Sequence, residues 1–176
     1  MTKNQPFELI ETRHTTQGSF EIRRYPRCIL AQVTTSGPFM RAGNSGFYPL
    51  FNYISGANEG QTKIAMTAPV LQHPMAGEKH IISFVMPENM NPSDVPTPTG
   101  SMVTTRVVAE HISAAHKFRG AWQQHLFELE GERLLAAVRE AGLQPVGNLY
   151  WARFDAPFKP GFLKRNEVLI DLERQK

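Results

Sequence analysis

Apolar positions along this chain change period several times, and each change marks an element. From Phe20 to Val33, the run FEIRRYPRCILAQV is rich in β-branched and aromatic residues and predicts one long strand, with Pro26 as a bend or an edge. Phe47, Leu50, Phe51 and Ile54 then recur at i, i+3, i+4 and i+7, the spacing of one helix face. Pro49 suits a first turn, so the helix is expected to start close to Gly46, and SGANEG supplies its stop. Two extended segments follow, Lys63 to Leu71 and His80 to Met86, around the turn-rich QHPMAGEK.

Pro87, Pro92, Pro96 and Pro98 punctuate a stretch with neither period, which predicts a surface linker over 87–100. Beyond it, MVTTRVVAEHISAAHKF predicts a second long strand, bending around Glu110 and His111. Trp122, Leu126, Leu129, Leu134, Val138 and Ala141 lie broadly on one helical stripe, ended by Gly142 and Pro145. A last pair of strands is expected at Gly147 to Phe154 and Glu167 to Leu172. Both halves therefore run strand, helix, strand, strand, and each places an Ala-Pro pair at the close of its third element, in MTAPV and FDAPF. This internal repeat predicts one domain over 1–176, with a first βαββ repeat over about 19–86 and a second over about 101–173. Helices packed outside the paired sheets would leave a groove near the helices and the Ala-Pro turns.

Within KIAMTAPV, alternation puts Ile64, Met66 and Ala68 on one face of an extended chain and Lys63, Ala65 and Thr67 on the other. Pro69 has no donor for a ladder bond, so it belongs at a strand end, an edge or a bulge. The segment is expected to end the first repeat and to wall the groove with Met66.

Composition narrows the chemistry. At 41% hydrophobic and 20% charged, the chain is an ordinary globular one, and 19 basic against 16 acidic residues leave a net charge of +3. The basic residues are scattered, and neither a zinc-finger spacing nor a helix-turn-helix accompanies them, so no nucleic-acid partner is expected. No apolar run of signal-peptide length opens the chain and none reaches the roughly 18 residues of a membrane span, so no membrane partner is expected either. The single cysteine, Cys28, excludes an internal disulfide and suits a cytoplasmic location; it is expected to be a buried, inert thiol. GxSxG, HExxH, a phosphate loop and a metal-binding cysteine pair are all missing, so catalysis has no motif to rest on. Glu128, Glu130 and Glu132 are most simply a solvated helix face.

EIRRYP, GFYPLFNYISGANEGQTKIAMTAPV and FDAPFKPGFLKRNEVLIDL together resemble the SOUL haem-binding protein family, over nearly the whole chain. The resemblance implies an α+β fold: a distorted antiparallel β-barrel from two pseudo-symmetric βαββ repeats with two flanking helices. It also implies haem or another tetrapyrrole as ligand, with the porphyrin ring against the first helix and a lysine near the C-terminal strands on a propionate. Carried over by motif, the ligand-binding positions are Asn44, Phe47, Leu50, Phe51 and Asn52 on the helix, Met66 on the following segment, and Lys159 in APFKP, with Lys63 or Lys164 as helpers. Asn44 and Asn52 stand where family members can carry basic residues, which weakens propionate pairing from the helix side.

None of the six histidines, His14, His73, His80, His111, His116 and His125, falls on the first helix, and each is expected to have a structural or surface role. Tyr48 and Tyr53 could ligate ferric iron but more simply pack. The chain therefore reads as a cytoplasmic protein that carries or sequesters a tetrapyrrole without a strong axial ligand. The rival readings are an effector-binding or protein-interaction module for diverse amphipathic molecules, and an enzyme acting on a bound tetrapyrrole.

Overall fold

Pro26 ends a strand where sequence alone suggested a bend. The computed structural model describes residues 2–174 and gives, in chain order, β1 (Lys3–Asn4), β2 (Glu8–Thr15), β3 (Gly18–Tyr25), β4 (Cys28–Ser36), α1 (Phe39–Ile54), β5 (Thr67–Met75), β6 (Lys79–Val85), β7 (Thr104–Val108), β8 (His111–Arg119), α2 (Gln124–Glu140), β9 (Pro145–Arg153) and β10 (Arg165–Leu172). Both long strands expected from the sequence are in fact two strands each, broken at Pro26 and at Ala109–Glu110. The breaks coincide with passages of the chain from one compact unit to the other. The first unit holds the residues up to Pro6 and 27–109; the second holds 7–26 and 110 onward.

In the first unit the strand order is β1–β5–β6–β4–β7, antiparallel apart from the short parallel pair β1–β5. Alternate residues Ile29, Ala31 and Val33 of β4 and Ile82 and Phe84 of β6 face one core with Leu50, Tyr53 and Ile54 of α1 and with Ile64 and Met86. α1 starts seven residues before the expected Gly46, because Phe39, Ala42, Gly43 and Gly46 continue the buried stripe toward the N-terminus. Pro49 therefore lies inside the helix, where it forgoes one backbone hydrogen bond that packing on the sheet offsets. A Cβ on Gly46 would lie 2.4 Å from Ile82 Cγ1, so the helix rests on β6 at this glycine.

In the second unit the order is β2–β3–β8–β10–β9, antiparallel throughout. α2 packs on β3, β8, β9 and β10. Phe127 meets Trp151 and Phe118 edge-on, at 5.7 and 5.2 Å between ring centroids. Gly131, eighth in its helix as Gly46 is in α1, takes the close approach here: its Cβ would lie 2.8 Å from Leu149 Cδ1.

The fold is α+β, and the repeat is real: β4–α1–β5–β6 and β8–α2–β9–β10 share element order and sheet order, β5–β6–β4 against β9–β10–β8. The Ala-Pro pairs do not mark equivalent points in it. Ala68–Pro69 lies at the head of β5, at the bulge where pairing with β6 skips from Thr67 to Val70, whereas Ala156–Pro157 follows the end of β9. Residues 62–66 are outside the strand that sequence began at Lys63. The stretch 87–100 is partly tied down, since Met90 and Val95 pack on the first unit's core and Asn58 bridges Pro98.

Candidate functional site

The outward side of α1 carries the most distinctive surface of the first unit. Met40, Asn44, Phe47, Tyr48, Phe51 and Asn52 recur at helical spacing along it, opposite the stripe that meets the sheet. Tyr48 is 68% exposed, Phe51 45% and Met40 38%. Phe47 is half-buried: its ring stacks on Phe51 at 5.8 Å between centroids and meets Phe84 of the core edge-on at 5.3 Å. It joins a surface aromatic to the sheet beneath, and so limits how far the outer rings can move. Asn44 and Asn52 are exposed and add neutral hydrogen-bonding groups to the face.

Leu50, expected among the ligand contacts, is fully buried in the core beside Tyr53 and Ile54. It faces the sheet because it falls on the buried stripe at i+4 from Gly46. Met66 is half-buried against the same core. Its segment is held to the helix end by the GAN turn. Asn58 Nδ2 donates to Tyr53 O and Thr62 O, both at 2.8 Å, and Asn58 Oδ1 accepts from Thr62 N at 2.9 Å. Ile64 N donates to Ile54 O at 2.8 Å. Tyr53 is 1% exposed and its hydroxyl donates to Pro96 O at 2.7 Å, so the iron-ligand option considered for it is spent on the fold.

The two equivalent helices differ in charge. Arg41 is the one charged residue in α1, whereas α2 carries Glu128, Glu130, Glu132, Arg133, Arg139 and Glu140. Glu130 is not the solvated residue expected; it is 9% exposed, bonded to His116 Nε2 at 2.9 Å and to Arg133 at 3.2 Å. Burial of an apolar partner therefore suits the outer face of α1 and not that of α2.

Lys159 belongs to the second unit and is half-buried, with its ammonium 2.8 Å from Asp155 Oδ1. Burial alone would raise the Asp155 carboxyl, but hydrogen bonds from Lys159 and Arg165 outweigh it and hold the pKa down to about 2. Lys164 is engaged within the fold: its ammonium sits 3.8 Å over the Trp122 ring and donates to Pro157 O at 2.9 Å. Burial, then the charge of Arg153, lowers its pKa. Lys63 is exposed beside the GAN turn.

The histidines are distributed over both units. His80 is buried next to Gln72 Nε2 at 3.1 Å, His111 stacks on Tyr25, and His125 is exposed. Among the described residues no cluster of three His, Cys, Asp or Glu has the spacing to hold a metal ion. Cys28 is half-buried, and burial pushes its thiol pKa up, as in an unreactive cysteine. Sequence reasoning named Phe47 and Phe51 for this face, weighed Tyr48 only as an iron ligand or packer, and passed over Met40. The earlier helix start brings Met40 onto the same face, one turn before Asn44.

Residues 2–171 match the family model described as SOUL heme-binding protein. "Heme-binding protein 2" of Mus musculus is 31% identical over 159 residues, covering 85% of this chain and 75% of its own length. Its Homo sapiens namesake is 31% identical over 157 residues, with the same coverage. Among solved structures, the EcmrR chain in a complex with DNA superposes with a TM-score of 0.67 at 13% identity over 89% of this chain. This chain spans 57% of that one, and at such identity the likeness concerns the fold alone. A family model over nearly its whole length, together with two relatives at 31% identity that each match 85% of it, establishes that the chain belongs to the SOUL heme-binding protein family.

Proposed function

We propose that this protein binds a tetrapyrrole, haem or iron-free porphyrin, with the ring laid on the outer face of α1, and that it carries or sequesters the ligand in the cytoplasm. The observation that carries the reading is the asymmetry of the repeat: of two equivalent helices, one presents Phe47, Tyr48, Phe51 and Met40 with one charge, and the other presents charges. A flat apolar ring fits the first. Phe51, Tyr48 and Met40 would hold it by contact, Phe47 and Met66 would support it from beneath, and Asn44 and Asn52 would meet its polar edge. Leu50 contributes as floor rather than as contact.

Lys159 is proposed as a cation for a carboxylate such as a propionate, on the resemblance of APFKP alone, and it would give up Asp155 to take one. Burying about 300 Å² of apolar ring at about 25 cal/mol/Å² is worth about 7 kcal/mol before ordering costs, which places affinity at micromolar or weaker. Haem iron would supply redox and ligand-exchange chemistry when bound. No histidine stands on α1 to take it up, so recognition rests on the ring and not on the metal.

Titration with ferric haem and with iron-free protoporphyrin, followed by absorbance, tests the reading. Saturable binding of both with similar affinity is expected. Binding of haem alone with a sharp ligand-field spectrum would reject the absence of an axial ligand. Equal binding of unrelated flat cations would replace a tetrapyrrole carrier by a general effector-binding module.

A further inference from the structure

The two most exposed large hydrophobic side chains among the described residues lie outside the α1 face. Phe158 is 92% exposed and Phe162 75%, and Leu163 beside them is 42% exposed, all in the segment joining β9 to β10. Core packing does not account for a phenylalanine with nine-tenths of its surface in water.

The segment is braced from within. The Asp155 carboxylate accepts from Lys159 Nζ, from the Arg165 backbone N–H and from its guanidinium. Residues Gly161–Leu163 form a single 3-10 turn, in which Leu163 N donates to Pro160 O and Lys164 N to Gly161 O, both at 3.0 Å. Lys164 Nζ ties Pro157 O from the inner side, and Arg119 reaches Leu163 O at 3.3 Å. Gly161 lies so close to Ala121 that a Cβ on it would stand 2.9 Å from that side chain. The aromatic tips are thus presented on a fixed frame.

Charge completes the picture. Lys159 and Arg165 flank the tips along the chain and Arg119 bonds to Leu163 O, all three with side chains partly or largely in solvent. Asp155 is the one acid in 155–165, and it is 8% exposed and already enclosed by Lys159 and Arg165. Two aromatics and a leucine rimmed by cations match the headgroup region of an anionic bilayer. There, aromatic rings settle at the boundary of the acyl chains, and Lys and Arg meet lipid phosphates.

We propose that the Phe158–Phe162 loop is a peripheral docking tip for anionic lipid surfaces. The expectation of no membrane partner, drawn from the lack of a spanning segment, concerns a different mode of attachment. No described helix is long and apolar enough to cross a membrane, and a loop tip needs none.

The test is sedimentation of the ligand-free protein with vesicles of phosphatidylcholine, alone or mixed with phosphatidylserine. Its outcome is independent of tetrapyrrole binding. Binding is expected to rise with phosphatidylserine and to fall as salt is added. The double variant F158S/F162S, altered only at exposed positions, is expected to keep its circular dichroism and lose at least about tenfold in partition. No binding to the mixed vesicles, equal binding to both compositions, or undiminished binding by F158S/F162S would each overturn the proposal. A folded protein partner that requires Phe158 and Phe162 while vesicles of both compositions are ignored would overturn it too.

Discussion

Arg23 of β3 and Glu167 of β10 form a two-pronged pair across the intervening strand β8, with Nη1 to Oε2 at 2.7 Å and Nη2 to Oε1 at 2.9 Å. Arg23 is 1% exposed. Its remaining donors reach Glu21 and the Tyr25 hydroxyl, and the Phe7 ring covers the guanidinium at 4.2 Å. Burial alone would lower the Arg23 pKa, but Glu167 and the other partners outweigh it and raise it, so the charge stays in place. Removing one side of such a pair strands the other. Arg23→Ala is expected to cost about 3–5 kcal/mol in urea unfolding, and Arg23→Ala with Glu167→Ala less than the sum of the single changes.

The helix glycines give a differential test. At Gly46 an added methyl meets the branched Cβ and Cγ1 of Ile82 inside the core, so Gly46→Ala is expected to cost about 1–3 kcal/mol. At Gly131 it meets the end of the Leu149 side chain, which is half-buried and can rotate away. The helix preference for alanine then offsets most of the strain, and Gly131→Ala is expected to change stability by less than about 1 kcal/mol. Chemical denaturation of the two variants compares them directly.

Asn58 is 2% exposed and serves three backbone groups at once. Asn58→Ala is expected to lose about 2–4 kcal/mol, since buried groups are left without partners. It should also weaken porphyrin binding by releasing the segment that carries Met66. Normal porphyrin affinity in a clearly destabilised Asn58→Ala protein would separate Met66 from the site.

Surface and core positions of α1 should respond in opposite ways. Phe51→Glu and Tyr48→Glu are expected to lower porphyrin affinity about tenfold or more with stability nearly unchanged, because a charge replaces contact area at exposed positions. Leu50→Ala is expected to cost about 2–5 kcal/mol of stability. Lys159→Glu should weaken binding of haem and of iron-free porphyrin alike, and more than any single His→Ala. One His→Ala variant that abolishes the haem spectrum would reverse that ranking.

Acid should weaken the loop that carries Lys159. The Asp155 pKa falls from an ordinary carboxyl value of about 4 in the unfolded chain to about 2 in the folded one. Its contribution is therefore fully present above about pH 4 and is lost as pH falls through 2. With Lys159 and Arg165 partly in solvent, that contribution is about 1 kcal/mol. The stability gap between the native protein and Asp155→Asn, measured by urea unfolding from pH 6 downward, is expected to hold to pH 4 and shrink below it. A gap that stays constant to pH 2.5 would show that Asp155 acts through geometry alone.

Much of this was legible in the residues, and the failures have local causes. α2 was found with its end at Gly142, but Trp122 of the expected stripe precedes the helix and Leu129 is exposed, because Phe127, Glu130 and Gly131 take the buried face instead. α1 was shortened because proline is commonest in a first turn, whereas here Phe39 and Ala42 are drawn into the helix by the core they are buried in and Pro49 falls in its interior. β2 was not expected at all. Its residues are mostly exposed, so pairing with β3 holds it without any alternation to betray it. The GAN turn stood out in the sequence as a motif, but the three bonds of Asn58 depend on where Thr62 returns, which spacing does not reveal. Lys164 looked like a free cation beside Lys159, and only the fold shows Trp122 beneath it.

The chain's passages between units at Pro6–Phe7, Pro26–Arg27 and Ala109–Glu110 carry a consequence for biosynthesis. A ribosome releases the hairpin β2–β3 well before the strand that β3 joins, β8, which follows only after the whole of 27–109 has been made. The first unit can gather its sheet as soon as β7 emerges. Until β8 arrives, the hairpin waits with Phe20 and Ile22 uncovered and one strand edge open, the state most exposed to mispairing with another nascent chain. That vulnerable interval lasts as long as 27–109 takes to be made, and it ends when β8 of the second repeat pairs with β3.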